Sequence, residues 1–252
     1  MIDFVIVIPS RYASVRLPGK PLIDIAGKPM IRHVYERACE SRAREVVIAT
    51  DDERIAAAAE SFGAAVCMTG EQHASGTERI AEVAEIMDWP DETIVVNLQG
   101  DEPTMPAQLI EQCADLIADG SVDIATLASP FQSIEDFFDP NCVKVIRDVN
   151  GHAIYFSRAT VPYPRDDASE QRAANAALHH HGIYAYRCGV LRQLVATDPS
   201  ELELCEHLEQ LRALSLGMSI AVGIPGVRPG IGVDTPEDVV RVAGELEPAD
   251  KP

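Results

Sequence analysis

Arg11, Arg16 and Lys20 fall within one loop, SRYASVRLPGKPL, and no Asp or Glu stands between Phe4 and Ile23. The chain of 252 residues carries a formal net charge of -19, so this local reversal of sign points to an anionic ligand. Pro18 and Pro21 fix φ on either side of Gly19 and Lys20, and Gly19 permits a tight turn that brings backbone N–H groups towards an oxyanion. Lys20 then stands as a point charge on a preorganised support, suited to phosphate. The segment is not a Walker A loop, because no glycine stands five residues before Gly19 and neither Ser nor Thr follows Lys20. A solvated βα connection with ordinary surface cations is the plainer reading of the same residues.

Two acids complete the candidate chemistry. Asp101 lies in NLQGDEP, directly after the apolar run IVVNL, and Asp234 lies just beyond the last strand-like run. In open α/β sheets ligands gather at the carboxyl ends of parallel strands, so the cationic loop, Asp101 and Asp234 can converge there. Carboxylates beside a phosphate-binding loop fit a magnesium ion, whose usual partners are one or two carboxylates plus substrate phosphates. Taken singly, Asp101 also reads as a turn residue and Asp234 as an acid near a helix N-terminus. SGTER, residues 75–79, looks like a loop entering a helix, where hydroxyl and N–H groups can bind an anion; an ordinary N-cap is the alternative.

The elements that must position these groups alternate along the chain. DFVIVIP, EVVIAT, AAVCM and ETIVVNL read as strands, separated by helical patterns at about 30–41, 53–62 and 77–87. A further helix at about 106–118 and the strand DIATLAS continue the rhythm, which predicts βαβ units and a largely parallel sheet. VKVIRD and HAIYFS then form a β-hairpin around Asn150-Gly151, a type I′ turn signal. The polar excursion that follows, up to HGIYAYR, suggests a second lobe or a subunit interface. A single helix at about 202–216 precedes SIAVGI, and Thr235 and Pro236 supply the N-cap and first residue of the last helix.

Bulk composition removes several classes. Forty Asp and Glu against twenty-one Lys and Arg argue against a nucleic-acid-binding face. No basic stretch precedes an apolar leader and no apolar run approaches eighteen residues, which gives a cytoplasmic location, away from membranes, as the expectation. The six cysteines are scattered singly, without CxxC, and read as reduced thiols. His179, His180 and His181 invite a zinc reading, but neighbouring strand residues alternate faces and cannot all meet one ion.

The ordered series IPSRYASVRLPGKPL, SGTER, NLQGDEP, NCVKV, YFSRATVP, GIYAYR, LEQLR and GVDTPED resembles the 3-deoxy-manno-octulosonate cytidylyltransferase (CMP-Kdo synthetase) family over essentially residues 2–245. RLPGKPL alone is shared with related sugar nucleotidyltransferases; the full series is much more specific. The resemblance implies a three-layer Rossmann-like α/β nucleotidyltransferase fold with a mostly parallel central sheet and an inserted hairpin. It implies one domain, 1–252, with a sub-lobe at about 140–190 for homodimerisation and sugar binding.

The same resemblance implies a reaction in which CTP and Kdo give CMP-Kdo and diphosphate for lipopolysaccharide biosynthesis, by Mg2+-assisted attack of the anomeric hydroxyl on the α-phosphorus. Lys20, Arg11 and Asp101 match catalytic positions. Ser10, Arg11, Arg16, Lys20, Ser75, Arg79 and Gly100 match nucleotide-binding positions. Gln99, Arg79, Arg158, His180, Tyr184, Glu209 and Gln210 match those around the sugar acid, and Asp101 and Asp234 match metal ligands. The chain departs from the family pattern at Ser10, where Ala is frequent, and at His179 and Ala185. Two other readings remain open: a cytidylyltransferase for another acid, such as a sialic acid or 8-amino-Kdo, and a non-catalytic nucleotide-binding paralogue.

Overall fold

Runs of β-branched and aliphatic residues without polar alternation form strands covered on both faces. In the computed structural model, which describes residues 2–13, 17–73 and 75–246, every residue of β1 (Phe4–Ser10) is buried. After it come the short pair β2 (Asp24–Ile25) and β3 (Lys28–Pro29), α1 (Met30–Cys39), β4 (Glu45–Thr50), α2 (Glu53–Ser61), β5 (Ala65–Met68), α3 (Gly76–Ile86), β6 (Ile94–Asn97) and α4 (Ala107–Leu116). The second half contains β7 (Ile124–Ser129), α5 (Ile134–Phe138), β8 (Lys144–Arg147), β9 (Ala153–Ser157), α6 (Glu170–Ala176) and β10 (Leu178–Arg187). It closes with α7 (Cys188–Val195), α8 (Glu201–Glu206), α9 (Gln210–Ser215), β11 (Ile220–Gly223) and α10 (Pro236–Leu246).

The main path of a nine-stranded sheet runs β11-β7-β10-β6-β1-β4-β5. Pairings β1–β4, β1–β6, β4–β5 and β7–β11 are parallel, while β10 runs antiparallel between β6 and β7. Alternation along β1 sends Val5 and Val7 into a core with α3, α7 and α9, and Phe4, Ile6 and Ile8 into a second core with α1, α2 and α4. The result is three layers, with the strand-end loops after β1 and β6 at one edge. A smaller apolar cluster seats α10 against Ile25 and Met30, so the segment after the cationic loop is anchored beside Val233 and Asp234.

Two local expectations fail in instructive ways. The hairpin of β8 and β9 forms and joins the central sheet through β10, but Asn150 does not take the left-handed conformation a type I′ turn requires. Only Gly151 does, at φ +87°, and Asp148 organises the loop by accepting from the amides of Asn150 and His152 at 2.8 Å each. The expected helix at 202–216 is two helices. His207 adopts φ 52°, ψ 49° after α8, and the chain re-enters a helix only at Gln210. No Gly or Pro marks this break. It is held instead by Glu206, whose carboxylate accepts from the Tyr155 hydroxyl at 3.1 Å, the Ser157 hydroxyl at 2.9 Å and the Arg158 amide at 2.6 Å.

Candidate active site

Gly19, at φ +69°, turns the chain so that Lys20 opens a short 3₁₀ turn, Lys20–Leu22. A Cβ at Gly19 would lie 3.0 Å from the Tyr12 hydroxyl, so both its dihedral and its surroundings favour glycine. From this turn the Lys20 ammonium donates to Asp101 Oδ2 at 2.6 Å and Asp234 Oδ1 at 2.9 Å. Burial by itself would lower the Lys20 pKa, but the two carboxylates outweigh it and raise the pKa overall, so the group stays charged.

The two acid-bearing loops are joined through their backbones. The Val233 amide donates to the Asp101 carbonyl at 2.8 Å, and the Ile231 amide donates to Thr104 Oγ1 at 2.7 Å. The Asp238 carboxylate at the start of α10 accepts from the Asp234 and Thr235 amides, at 3.1 and 3.0 Å. Thr235 Oγ1 accepts from the Asp238 amide at 3.3 Å, the capping role expected of it. Asp101 and Asp234 thus reach a single cation, at present the ammonium of Lys20. A donor set of two carboxylates converging on one positive charge fits a hard divalent ion.

Around this centre lies an open basin of about 660 Å³, lined among others by Ser10, Arg11, Lys20, Ser75, Arg79, Gly100, Asp101 and Asp234. Behind it is a chamber of about 390 Å³, whose walls include Arg158, His180, Tyr184, Gln210 and Arg212. Ser75, Gly76, Gln99 and Glu209 line both, forming the seam between them. The structure therefore gathers the expected nucleotide and sugar positions into two adjoining spaces. Arg16 lies outside the described residues.

Several side chains are more constrained than their types alone suggest. Arg79, expected at both the nucleotide and the sugar, lines only the basin; its buried guanidinium donates to Asp51 Oδ2 at 2.6 Å and to Thr69. Arg212 is clamped by both oxygens of Glu203, at 2.7 and 2.6 Å. Arg158 uses Nε on the Glu206 carbonyl at 2.8 Å and one terminal nitrogen on the Pro140 carbonyl at 3.2 Å. Its other terminal nitrogen has no partner among the described residues and is a cationic donor on the chamber wall.

His180 is driven to a pKa of about 3 by burial, with smaller contributions from His181 and His179, so it works as a neutral imidazole. Thr126 gives its single hydroxyl proton to the Ile183 carbonyl at 2.7 Å, so His180 Nε2, 3.0 Å from the Thr126 oxygen, is the donor of that pair. His179 stacks on Phe131 at 5.6 Å and His181 lies beside Ser129; alternation along β10 brings these two rings to 5.4 Å of each other and sets His180 apart, against Phe156 and Tyr184.

Two buried polar atoms at the site have no partner among the described residues: Ser10 Oγ in the basin and Gln210 Nε2 in the chamber. Native interiors rarely leave such groups unmet, so both are candidate contacts for a ligand or for water. Other residues escaped sequence reasoning. Glu102 lies against Gly232, and burial, followed by the charges of Asp101 and Asp234, pushes its carboxyl up to about 8. The signal was its place in GDEP. Lys144, fully buried in NCVKV, donates to the Asp139 and Arg158 carbonyls at 2.9 and 2.7 Å and so braces Arg158 from behind.

Comparison with known proteins converges on the same chemistry. A family model described as Cytidylyltransferase matches residues 5–220. A solved CMP:2-keto-3-deoxy-manno-octonic acid synthetase complexed with CTP is 40% identical, over 97% of this chain and 98% of that one, with a TM-score of 0.88. A cytidylyltransferase from Leptospira borgpetersenii is similar at 16% identity and TM-score 0.61, over 96% of this chain and 84% of that one. The 4-diphosphocytidyl-2C-methyl-D-erythritol synthase from Anaerococcus prevotii is similar at 13% identity and TM-score 0.64, over 98% and 97%. The last two likenesses concern the fold.

Proposed function

The chain belongs to the cytidylyltransferase family, and from that premise we propose that it transfers CMP from CTP to 3-deoxy-D-manno-octulosonate (Kdo), giving CMP-Kdo and diphosphate. The observation that carries this reading is the pair of adjoining spaces, one built around Lys20 and two carboxylates and the other around Arg158, which share Ser75, Gly76, Gln99 and Glu209. The triphosphate occupies the first and the sugar acid the second, so the α-phosphorus and the anomeric hydroxyl meet at the seam.

An anionic acid and a polyanionic triphosphate repel one another, and much of the catalytic task is to neutralise and align them. Lys20 and Arg11 meet the phosphates, Ser10 Oγ and the Ser75 loop supply hydrogen bonds, and Arg79 stands behind them tied to Asp51. Gly100 lets the backbone pass close to Ser10. Arg158 receives the sugar carboxylate, while neutral His180, Tyr184, Gln99, Glu209 and Gln210 meet its hydroxyls. Mg2+ held by Asp101 and Asp234 would polarise the α-phosphoryl group and lower the pKa of the attacking hydroxyl. The reading takes a cytoplasmic setting, where CTP is available, and CMP-Kdo as a donor for lipopolysaccharide biosynthesis. Among the described residues no helix is long and apolar enough to cross a membrane.

Residues 140–190 serve in this reading as a sub-lobe for sugar binding and for a second copy of the chain. Ile154 on the hairpin and Tyr163 beyond it are apolar and exposed, which supports a dimer face there. Light scattering at micromolar concentration should give the dimer mass; a monomer would contradict it. Diphosphate release from CTP with Mg2+ is the test of the activity, run with Kdo, 8-amino-Kdo and a sialic acid. Turnover preferring Kdo is expected. Preference for another acid would reassign the substrate, and no turnover with any of them would overturn the activity.

A further inference from the structure

Asp51 and Asp52, consecutive residues just after β4, support two different arginines. Asp51 accepts from the buried Arg79 guanidinium at 2.6 Å, on one wall of the basin. Asp52 caps α2 by accepting from the Arg54 amide at 2.9 Å, and it also grips the Arg54 side chain. Arg54 Nε donates to Oδ1 at 2.9 Å and a terminal nitrogen donates to Oδ2 at 2.6 Å, a two-pronged bond that fixes the plane of the guanidinium. The central carbon of that guanidinium lies over the Tyr12 ring, 3.3 Å from its centroid.

Tyr12 belongs to the cationic loop but stands behind it. Its neighbours Arg11 and Ala13 line the basin, as do Lys20 and Pro21, whereas Tyr12 and Arg54 are not among the lining residues. The Tyr12 carbonyl accepts from the Gly19 amide at 3.2 Å. Its phenol end packs on the same glycine, where a Cβ would come within 3.0 Å of the hydroxyl oxygen and 3.1 Å of the ring carbon bearing it. Tyr12 therefore ties the arm that carries Arg11 to the turn that presents Lys20, once through its backbone and once through its ring. The ring is itself only half-buried, and Arg54 is what covers its face.

We propose that Arg54 is a positioning residue for the triphosphate: held flat by Asp52, its guanidinium stacks on Tyr12 and so keeps the Arg11 arm and the Gly19-Lys20 turn at the spacing the phosphates bridge. The inference rests on reading the basin as the CTP site. Arginine suits the task because its planar fork can be pinned at the edge by a carboxylate while its face covers an aromatic ring. Asp52 balances the Arg54 charge, so the contribution is to the shape of the loop rather than to attraction of the anion. Holding a loop in its bound conformation strengthens binding by removing the cost of ordering it.

The test measures the CTP dissociation constant by calorimetry with Mg2+ and no acid, for the parent, Arg54→Met, Tyr12→Leu and the double variant. Arg54→Met should weaken CTP about 3- to 5-fold, the fold-change of one cation–π contact, and leave KM for the acid within about 1.5-fold at saturating CTP. Tyr12→Leu should weaken CTP about fivefold or more, and adding Arg54→Met to it should change the constant by no more than about 1.5-fold, because Arg54 acts through the ring. An unchanged constant for Arg54→Met would overturn the proposal. So would an Arg54→Met effect that persists in the Tyr12→Leu background and fades with added salt, which is the behaviour of a charge attracting phosphate directly. Should Tyr12→Leu not fold, Asp52→Asn takes its place: asparagine still caps α2 but loses the charged grip on Arg54. It should weaken CTP in the parent and add nothing to Arg54→Met; no effect in the parent, or a full additional effect on Arg54→Met, would refute the inference. A parent that does not bind CTP overturns the reading of the basin and this inference together, whereas a parent that binds it as tightly as Arg54→Met does removes this inference alone.

Discussion

Lys20 and Asp101, separated by 81 residues in the chain, meet at 2.6 Å, and Asp234 closes on the same ammonium from the other side at 2.9 Å. The contact places a fixed positive charge between two acids and keeps that charge present at neutral pH. Replacing Lys20 by Met should lower kcat/KM for CTP by about 100- to 1000-fold, the range for loss of one preorganised transition-state charge. Steady-state kinetics at saturating Mg2+ measure this, and a loss below about tenfold would remove Lys20 from the catalytic set.

Gly100 approaches Ser10 too closely for a side chain. An added Cβ would lie 2.5 Å from Ser10 Oγ and 2.9 Å from the Pro9 carbonyl oxygen. Gly100→Ala should destabilise the fold by about 1–3 kcal/mol through overpacking, read as a shift in urea midpoint. Ser10→Ala should recover part of that loss in the double variant, since the Ser10 hydroxyl has no partner to forfeit among the described residues. No recovery would mean that the Pro9 carbonyl alone sets the limit.

The buried histidines make stability fall in mild acid. His180 has its pKa depressed to about 3 and His181 to about 4, chiefly by burial, so the folded protein refuses protons that the unfolded chain takes up below about 6.5. Their contribution is complete above that value and declines as the pH falls towards the folded pKa values. Each such site steepens the dependence by up to about 1.4 kcal/mol per pH unit. Urea titrations between pH 7 and 4.5 should show a shallower slope for His180→Asn than for the parent; equal slopes would refute the assignment.

Glu206 ties the end of β9 to the irregular segment before α9. Glu206→Ala removes acceptors from Tyr155, Ser157 and the Arg158 amide, so Arg158 and the loop carrying Glu209 should loosen together. We expect KM for the sugar acid to rise about tenfold or more, with KM for CTP changed much less, for an interaction of roughly 1.5–3 kcal/mol. A uniform rise in both constants would point to general unfolding instead.

Much of the architecture was legible along the chain. FVIVIPS and EVVIAT read as buried strands because their apolar runs have no alternating polar face, and Thr235-Pro236 marked the last helix through short-range capping chemistry. The reversal of charge around Lys20 also needed nothing beyond local composition to mark a cationic loop. Even Asp101 and Asp234 could be placed at one sheet edge, because both follow strand-like runs.

Tertiary structure decided the rest. Nothing near His207 in the sequence breaks a helix; the break exists because Glu206 satisfies groups on β9 and on Arg158 just after it, 48 to 51 residues earlier. Arg79 reads as a free cation until Asp51 is brought to 2.6 Å, and Thr77 reads as a helix-start residue until Glu209 arrives from the segment just before α9. Strand propensity and turn chemistry act over a few residues and leave their mark in local order. The partner of a buried polar side chain depends on which strands lie side by side, and here the placement of β10 between β6 and β7 sets the chamber's wall. The sequence alone placed a cationic loop and two acids at one sheet edge; only packing decided which of their neighbours remain available to a ligand, because buried donors and acceptors must first satisfy one another.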